Sequence, residues 1–143
     1  MSVGVESIDC DHKHLLGLVN RLDASVRSGE GETVVDAILG ELLSYTAYHF
    51  DREEALMTAC GYPDVDAHCH THRVLKTQVA NIRDRHIHNP DSIHDREVLA
   101  FLRNWLTAHI LGRDQLYAPF MVSRRQAVEA AETAFTADQP QAN

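Results

Sequence analysis

Residues 49–72 read HFDREEALMTACGYPDVDAHCHTH, and this stretch decides the fold. His49 and Glu53 are four residues apart, and so are His68 and His72. On a helix each pair lies on one face, one turn apart. Gly61 is a natural helix stop, and Pro63 suits the first turn of the next helix. The stretch is therefore the end of one helix, a turn, and the start of another. Upstream, apolar residues recur at Val34, Val35, Ile38, Leu42 and Tyr45 or Thr46. The stripe runs on through His49, Glu53, Leu56 with Met57, and Cys60. Steps of three or four residues predict a helix over 33–60. His49 and Glu53 stand where leucines would continue the pattern. A carboxylate on an apolar face needs a partner, because burying it alone is costly. A cation supplies one; a buried His–Glu hydrogen bond supplies one equally well for this pair taken alone. Glu54 is rotated about 140° from His49 on a straight helix and Glu53 only about 40°, so Glu53 is the inward residue and Glu54 a solvated charge.

Similar placements recur outward from this stretch. Asp9 or Asp11 can cap a helix beginning near His12, and His12 opens the stripe Leu15, Leu16, Val19, Leu22, Val26. The run Ser28-Gly29-Glu30-Gly31 is a loop signal. A third helix carries His68, His72, Leu75, Val79, Ile82 and His86, and ends near Asn89-Pro90, where proline discourages continuation. A fourth starts near Asp91 or Asp95 and carries Val98, Leu99, Leu102, Trp105, Leu106, His109 and Ile110, with Pro119 as its limit. His109 and Asp114 are five apart and align only through a wider π-type turn, which Gly112 between them would ease. Residues 121–135 can form a further short helix, and 136–143 read as a polar, frayed end. The expected organisation is a bundle domain over 1–120 followed by a short helix and polar tail over 121–143.

Seven inward donors result: His12, His49, Glu53, His68, His72, His109 and Asp114. One tetrahedral zinc needs four ligands, so seven are too many. Two octahedral metals sharing both carboxylates use all seven and leave room for a solvent bridge and one open position. The HxxxH pair lacks the glutamate of a zinc protease, since Cys69 follows His68. His14, His70, His88 and His94 read as exposed, Cys60 and Cys69 as packing residues, and His86 as a stripe member beyond the metal layer. A histidine on the buried face of each of four helices is explained at once by a common metal layer in the core of an all-α helix bundle.

The bulk numbers exclude several classes. A chain of 143 residues, 44% of them hydrophobic, suits one packed domain. The net charge of −8 argues against binding nucleic acid. No signal peptide or membrane-spanning run is visible. Three cysteines without a CxxC motif suit a reducing compartment, so a cytoplasmic location is expected.

Three segments together carry a family resemblance. SVGVESIDCDHKHL (2–15), the 49–72 stretch and WLTAHILGRDQLY (105–117) resemble the three motifs of bacterial hemerythrins, over roughly 2–120. The resemblance implies an all-α, up-down-up-down four-helix bundle with a short N-terminal arm and a C-terminal extension, built around a non-haem di-iron centre. It assigns His68, His72 and His109 to one iron, and His12 and His49 to the other, which keeps the open position. It makes Glu53 and Asp114 bridges beside an oxo or hydroxo group. It implies an apolar oxygen pocket built from Phe50, Leu75, Trp105, Leu106, Ile110 and Tyr117. The family often has Gln where this chain has Asp11, a change that bears on helix capping and on polarity behind the ligands. The expected function is reversible dioxygen binding, for carriage or storage, by a protein that is not an enzyme. The alternatives are an oxygen-sensing module that signals to a protein partner, and a di-iron oxidoreductase acting on peroxide or nitric oxide.

Overall fold

The computed structural model describes residues 2–89, 91 and 94–139, with the backbone alone at Glu32 and Leu111. Pro90, Ser92, Ile93 and the expected tail from 140 to 143 lie outside the described residues. Among the described residues the regular elements are helical. They are α1 (Glu6–Arg27), α2 (Glu32–Ala59), α3 (Val65–His88), α4 (Asp95–Ala108), a π-helical turn (His109–Arg113), α5 (Asp114–Ser123) and α6 (Arg125–Asp138). Helices α1 to α4 form the up-down-up-down bundle. α1 packs on α2 and α4, and α2 packs on α3. α6 returns to lie along α2.

Two turns are closed by glycines with positive φ. Gly61 has φ of 68°; its N–H bonds the carbonyl of Thr58, and that of Tyr62 reaches Met57. Gly29, also at φ 68°, repeats the pattern, with its own N–H on Val26 and that of Glu30 on Ser25. Both are Schellman closures, in which a left-handed residue satisfies the last carbonyls of the helix. The α2–α3 turn holds His49–Glu53 and His68–His72 at matching depth on neighbouring helices.

The core is two apolar clusters with a polar layer between them. One joins Leu15, Leu22, Ile38, Leu42, Val79, Leu102 and Leu106. The other joins Val3, Ile8, Leu56, Met57, Tyr117, Met121 and Val128. His12 falls between Ile8 and Leu15, His49 and Glu53 between Leu42 and Leu56, and Asp114 between Leu106 and Tyr117. Along each helix the donors replace one apolar turn.

Several sequence expectations are corrected. α1 begins at Glu6, so Asp11 lies inside the helix and is not a cap. Asp9 instead accepts hydrogen bonds from the Val3 N–H and the Ser2 hydroxyl, which ties down the N-terminal arm. Pro119 does not end the chain's fourth rod: it sits within α5, which runs on to Ser123. The lost i to i−4 hydrogen bond is outweighed by burial of Tyr117 and Met121 on either side. Residues 121–123 thus belong to α5, and the further helix starts at Arg125. It reaches Asp138, past the expected fraying point, because Val128 and Phe135 are buried. Val34 is exposed rather than part of the stripe. The π turn falls where the spacing of His109 and Asp114 requires it, but Gly112 is not needed for it. Its φ is not positive, and a Cβ there would meet nothing within 4 Å.

Candidate metal centre

All seven inward donors are buried, each at 5% exposure or less. They gather into two groups that share both carboxylates: Glu53, His68, His72, His109 and Asp114 in one, His12, His49, Glu53 and Asp114 in the other. Within each group the ligating atoms lie within 4.8 Å of one another.

Each carboxylate divides its oxygens between the groups. Glu53 Oε1 lies 3.1 Å from His49 Nε2 and 3.5 Å from His12 Nε2. Glu53 Oε2 lies 3.0 Å from His72 Nε2. Asp114 Oδ2 is 2.9 Å from His12 Nε2, while Oδ1 is 2.9 Å from His109 Nε2 and 3.2 Å from His68 Nε2. His72 Nε2 and His109 Nε2 face each other at 3.2 Å. The π turn makes the Asp114 contacts possible, since it brings a residue five positions on to the face of His109.

The donor set fits a cation pair. His12 Nε2, His49 Nε2, His68 Nε2, Glu53 Oε2 and both carboxylate oxygens of Asp114 have no hydrogen-bond partner among the described residues, despite the short N···O separations. Those approaches lack hydrogen-bond direction; the atoms point into shared space. An unmet buried polar atom costs about 1–3 kcal/mol, so such a cluster calls for an occupant that accepts lone pairs. Imidazole and carboxylate together suit first-row transition ions.

Charge inside the layer is mutually sustained. Burial would raise the Glu53 carboxyl, but the facing imidazoles, His49 first, hold it well below the usual range. Burial and the neighbouring Glu53 push Asp114 up, and the close imidazoles of His109, His12 and His68 bring it below its ordinary value. Burial works against protonated imidazoles, yet Glu53 and Asp11 raise His49 to about 10. Asp114 and Glu53 likewise raise His109 to about 9. His12 and His68 are raised as well, against burial, by the same two carboxylates.

Five of the six expected pocket residues, Phe50, Trp105, Leu106, Ile110 and Tyr117, are buried. Phe50 stacks on His72 with ring centres 3.7 Å apart and planes 2° from parallel. Trp105, Leu106 and Ile110 are buried beside it in the larger apolar cluster. Leu75 is half-buried and lines a cleft of about 390 Å³ between α3 and α4 with Phe101, Trp105 and His109. That cleft touches the five-donor group, not the His12–His49 side. Tyr117 is more than an apolar wall: its hydroxyl donates to Glu53 Oε1 at 2.6 Å.

Other titratable residues sort themselves by contact. Glu54 is not in either group, but it is half-buried rather than solvated, with Oε2 3.8 Å from His72 Nδ1. His14, His70, His88 and His94 are exposed, and His14 stacks on Tyr45. His86 is buried away from the centre, 3.3 Å from Asp95. Sequence reasoning missed Arg52. It lies three residues after His49, and its Nε is 2.9 Å from Asp11 Oδ2. The available signal was its position on the inward-facing arc next to Glu53.

No helix among the described residues is long and apolar enough to cross a membrane. The model of the hemerythrin HHE cation binding domain matches residues 3–121. A bacteriohemerythrin of Stenotrophomonas maltophilia (strain R551-3) is 36% identical over 118 residues, spanning 82% of this chain and 75% of that protein. One from Methylococcus capsulatus (strain ATCC 33009 / NCIMB 11132 / Bath) is 31% identical over 111 residues, 78% of this chain and 83% of its own. A wild-type hemerythrin crystal structure superposes with a TM-score of 0.72 at 30% identity, over 80% of this chain and 87% of that one. With the family model matched over residues 3–121 and relatives 31% and 36% identical over most of its length, the chain belongs to the hemerythrin family.

Proposed function

We propose that this protein binds dioxygen reversibly at a pair of iron ions, as a carrier or store, and is not an enzyme. The observation that carries the reading is the division of Glu53 and Asp114, each with one oxygen toward each donor group. His68, His72 and His109 would hold one iron and His12 with His49 the other, with both carboxylates shared. An iron pair held by these residues would supply the two-electron redox chemistry that dioxygen binding needs. The His12–His49 group has one donor fewer, so the exchangeable position belongs on that side.

The remaining residues protect and orient. Neutral imidazoles outnumber carboxylates by five to two, which favours mild exchange over strongly oxidising states. Phe50, Trp105, Leu106 and Ile110 keep water from the layer, and exclusion of water slows oxidative loss. The Tyr117 hydroxyl fixes the orientation of Glu53 from outside the donor set. Sensing is the second reading, supported by one contact: Glu132 of α6, beyond the family match, pairs with Arg52 behind His49.

The test is an absorption spectrum of the anaerobically reduced, iron-loaded chain, recorded before and after air and again after oxygen is removed. A coloured form that bleaches on deoxygenation is expected. Irreversible conversion to ferric protein without such a form contradicts reversible binding.

A further inference from the structure

Behind His49 runs a chain of buried and half-buried polar groups that links the candidate centre to α6. Asp11 is 2% exposed. Its Oδ2 accepts from His49 Nδ1 at 2.9 Å, and its Oδ1 accepts from the Tyr45 hydroxyl at 2.7 Å. Arg52 Nε sits 2.9 Å from the same Oδ2 as an ion pair without hydrogen-bond direction. The Arg52 fork continues outward. One terminal nitrogen pairs with Glu132 Oε1 of α6, the other donates to the Tyr48 hydroxyl, and the guanidinium lies 5.1 Å from the Phe135 ring. Ser7 Oγ donates to the second Glu132 oxygen at 3.1 Å.

The chemistry of imidazole gives this chain a role. A neutral imidazole carries one proton, and it can ligate only through the nitrogen that lacks it. An ionised carboxylate accepts and does not donate. Asp11 therefore fixes the proton of His49 on Nδ1 and leaves the Nε2 lone pair aimed at the donor cluster. Three of the other four ligand imidazoles lack this support: Nδ1 of His12, His72 and His109 has no hydrogen-bond partner among the described residues. His49 also belongs to the group with fewer donors, where each donor counts for more.

We infer that Asp11 is a positioning residue for His49, and that the Arg52–Glu132 pair makes α6 part of the support of the metal centre. The inference rests on the metal-pair reading above. Carboxylates behind ligating histidines commonly change metal affinity by about 10–100-fold when removed. Arg52 keeps the Asp11 carboxylate in register, and Glu132 holds Arg52 against α6.

The test uses the full-length chain with Co(II) titrated by its visible absorption, and the Zn(II)-loaded chain for histidine-ring NMR. The wild type is expected to take up two Co(II). Asp11→Ala should weaken one of the two equivalents about 10–100-fold, Asp11→Asn should weaken it less, and Glu132→Gln should weaken it a few-fold. The slowly exchanging Nδ1 proton of His49 should exchange faster in both Asp11 variants. Should Asp11→Ala fail to fold by circular dichroism, Asp11→Asn, matched in shape, decides on the same two readouts. Wild-type affinity and an unchanged His49 ring signal in the Asp11 variants overturn the inference while two Co(II) per wild-type chain keep the metal-pair reading intact. Impaired Asp11 variants beside an unaffected Glu132→Gln remove α6 from the relay. Fewer than two Co(II) on the wild type overturns the metal-pair reading itself.

Discussion

Replacing Tyr117 by Phe removes one oxygen atom from the most enclosed hydrogen bond of the centre. Tyr117 and Glu53 are both at 0% exposure, and the hydroxyl donates to a carboxylate oxygen at 2.6 Å. Phe keeps the ring and leaves no cavity of consequence. Water has no route to replace the donor, so the loss falls on a buried, charged acceptor. Hydrogen bonds to charged groups contribute about 1.5–3 kcal/mol, so Tyr117→Phe should cost the metal-free chain about 2 kcal/mol. Tyr45→Phe is the internal comparison. Its hydroxyl donates to Asp11 at 2.7 Å, but Tyr45 is half-buried and solvent can substitute, so about 0.5–1 kcal/mol is expected. Urea unfolding of the metal-free chain, followed by far-UV circular dichroism, reads both, with the slope against denaturant unchanged. A Tyr117→Phe cost no larger than that of Tyr45→Phe would refute the link between enclosure and magnitude.

Glu53→Gln keeps shape but removes the shared charge, so iron content should fall for both metals, whereas His12→Ala should leave the other iron in place; elemental analysis separates them, and loss of one iron in each variant contradicts the sharing. Metal loading should release protons, because His49 and His109 hold theirs to about 10 and about 9 in the metal-free chain. Apparent affinity should therefore rise with pH between pH 6 and 8, and a flat profile contradicts this. The sign reverses for the metal-free fold. The raised His49 stabilises it fully below its ordinary value of 6.5, and that contribution is lost as pH rises through about 10. Gly112→Ala should be tolerated and add up to about 1 kcal/mol of stability, since a Cβ there meets nothing; a clear drop in melting temperature would assign the glycine a role in the π turn.

What the sequence revealed followed local geometry. His49 with Glu53 and His68 with His72 are readable because one helical turn fixes their direction. The π turn was legible because no straight helix aligns His109 with Asp114. What stayed hidden depends on partners far along the chain. Asp11 reads as a cap until Tyr45 and His49, 34 and 38 residues away, are seen on its carboxylate. Arg52 reads as one more surface cation until Glu132, 80 residues on, comes into contact. Tyr117 reads as a wall because the family resemblance supplies a bulky side chain at that place and not the direction in which its hydroxyl points. Pro119 misleads because local propensity is outweighed by the packing of Tyr117 and Met121.

Five imidazoles and two shared carboxylates are placed to hold two neighbouring cations. Iron X-ray absorption fine structure on the loaded, full-length chain measures this most directly. Two irons per chain are expected, with an iron–iron vector in the range of two-metal sites, roughly 3.5–4 Å. A single iron per chain, or a fully loaded chain whose spectrum holds no metal–metal vector, would contradict it.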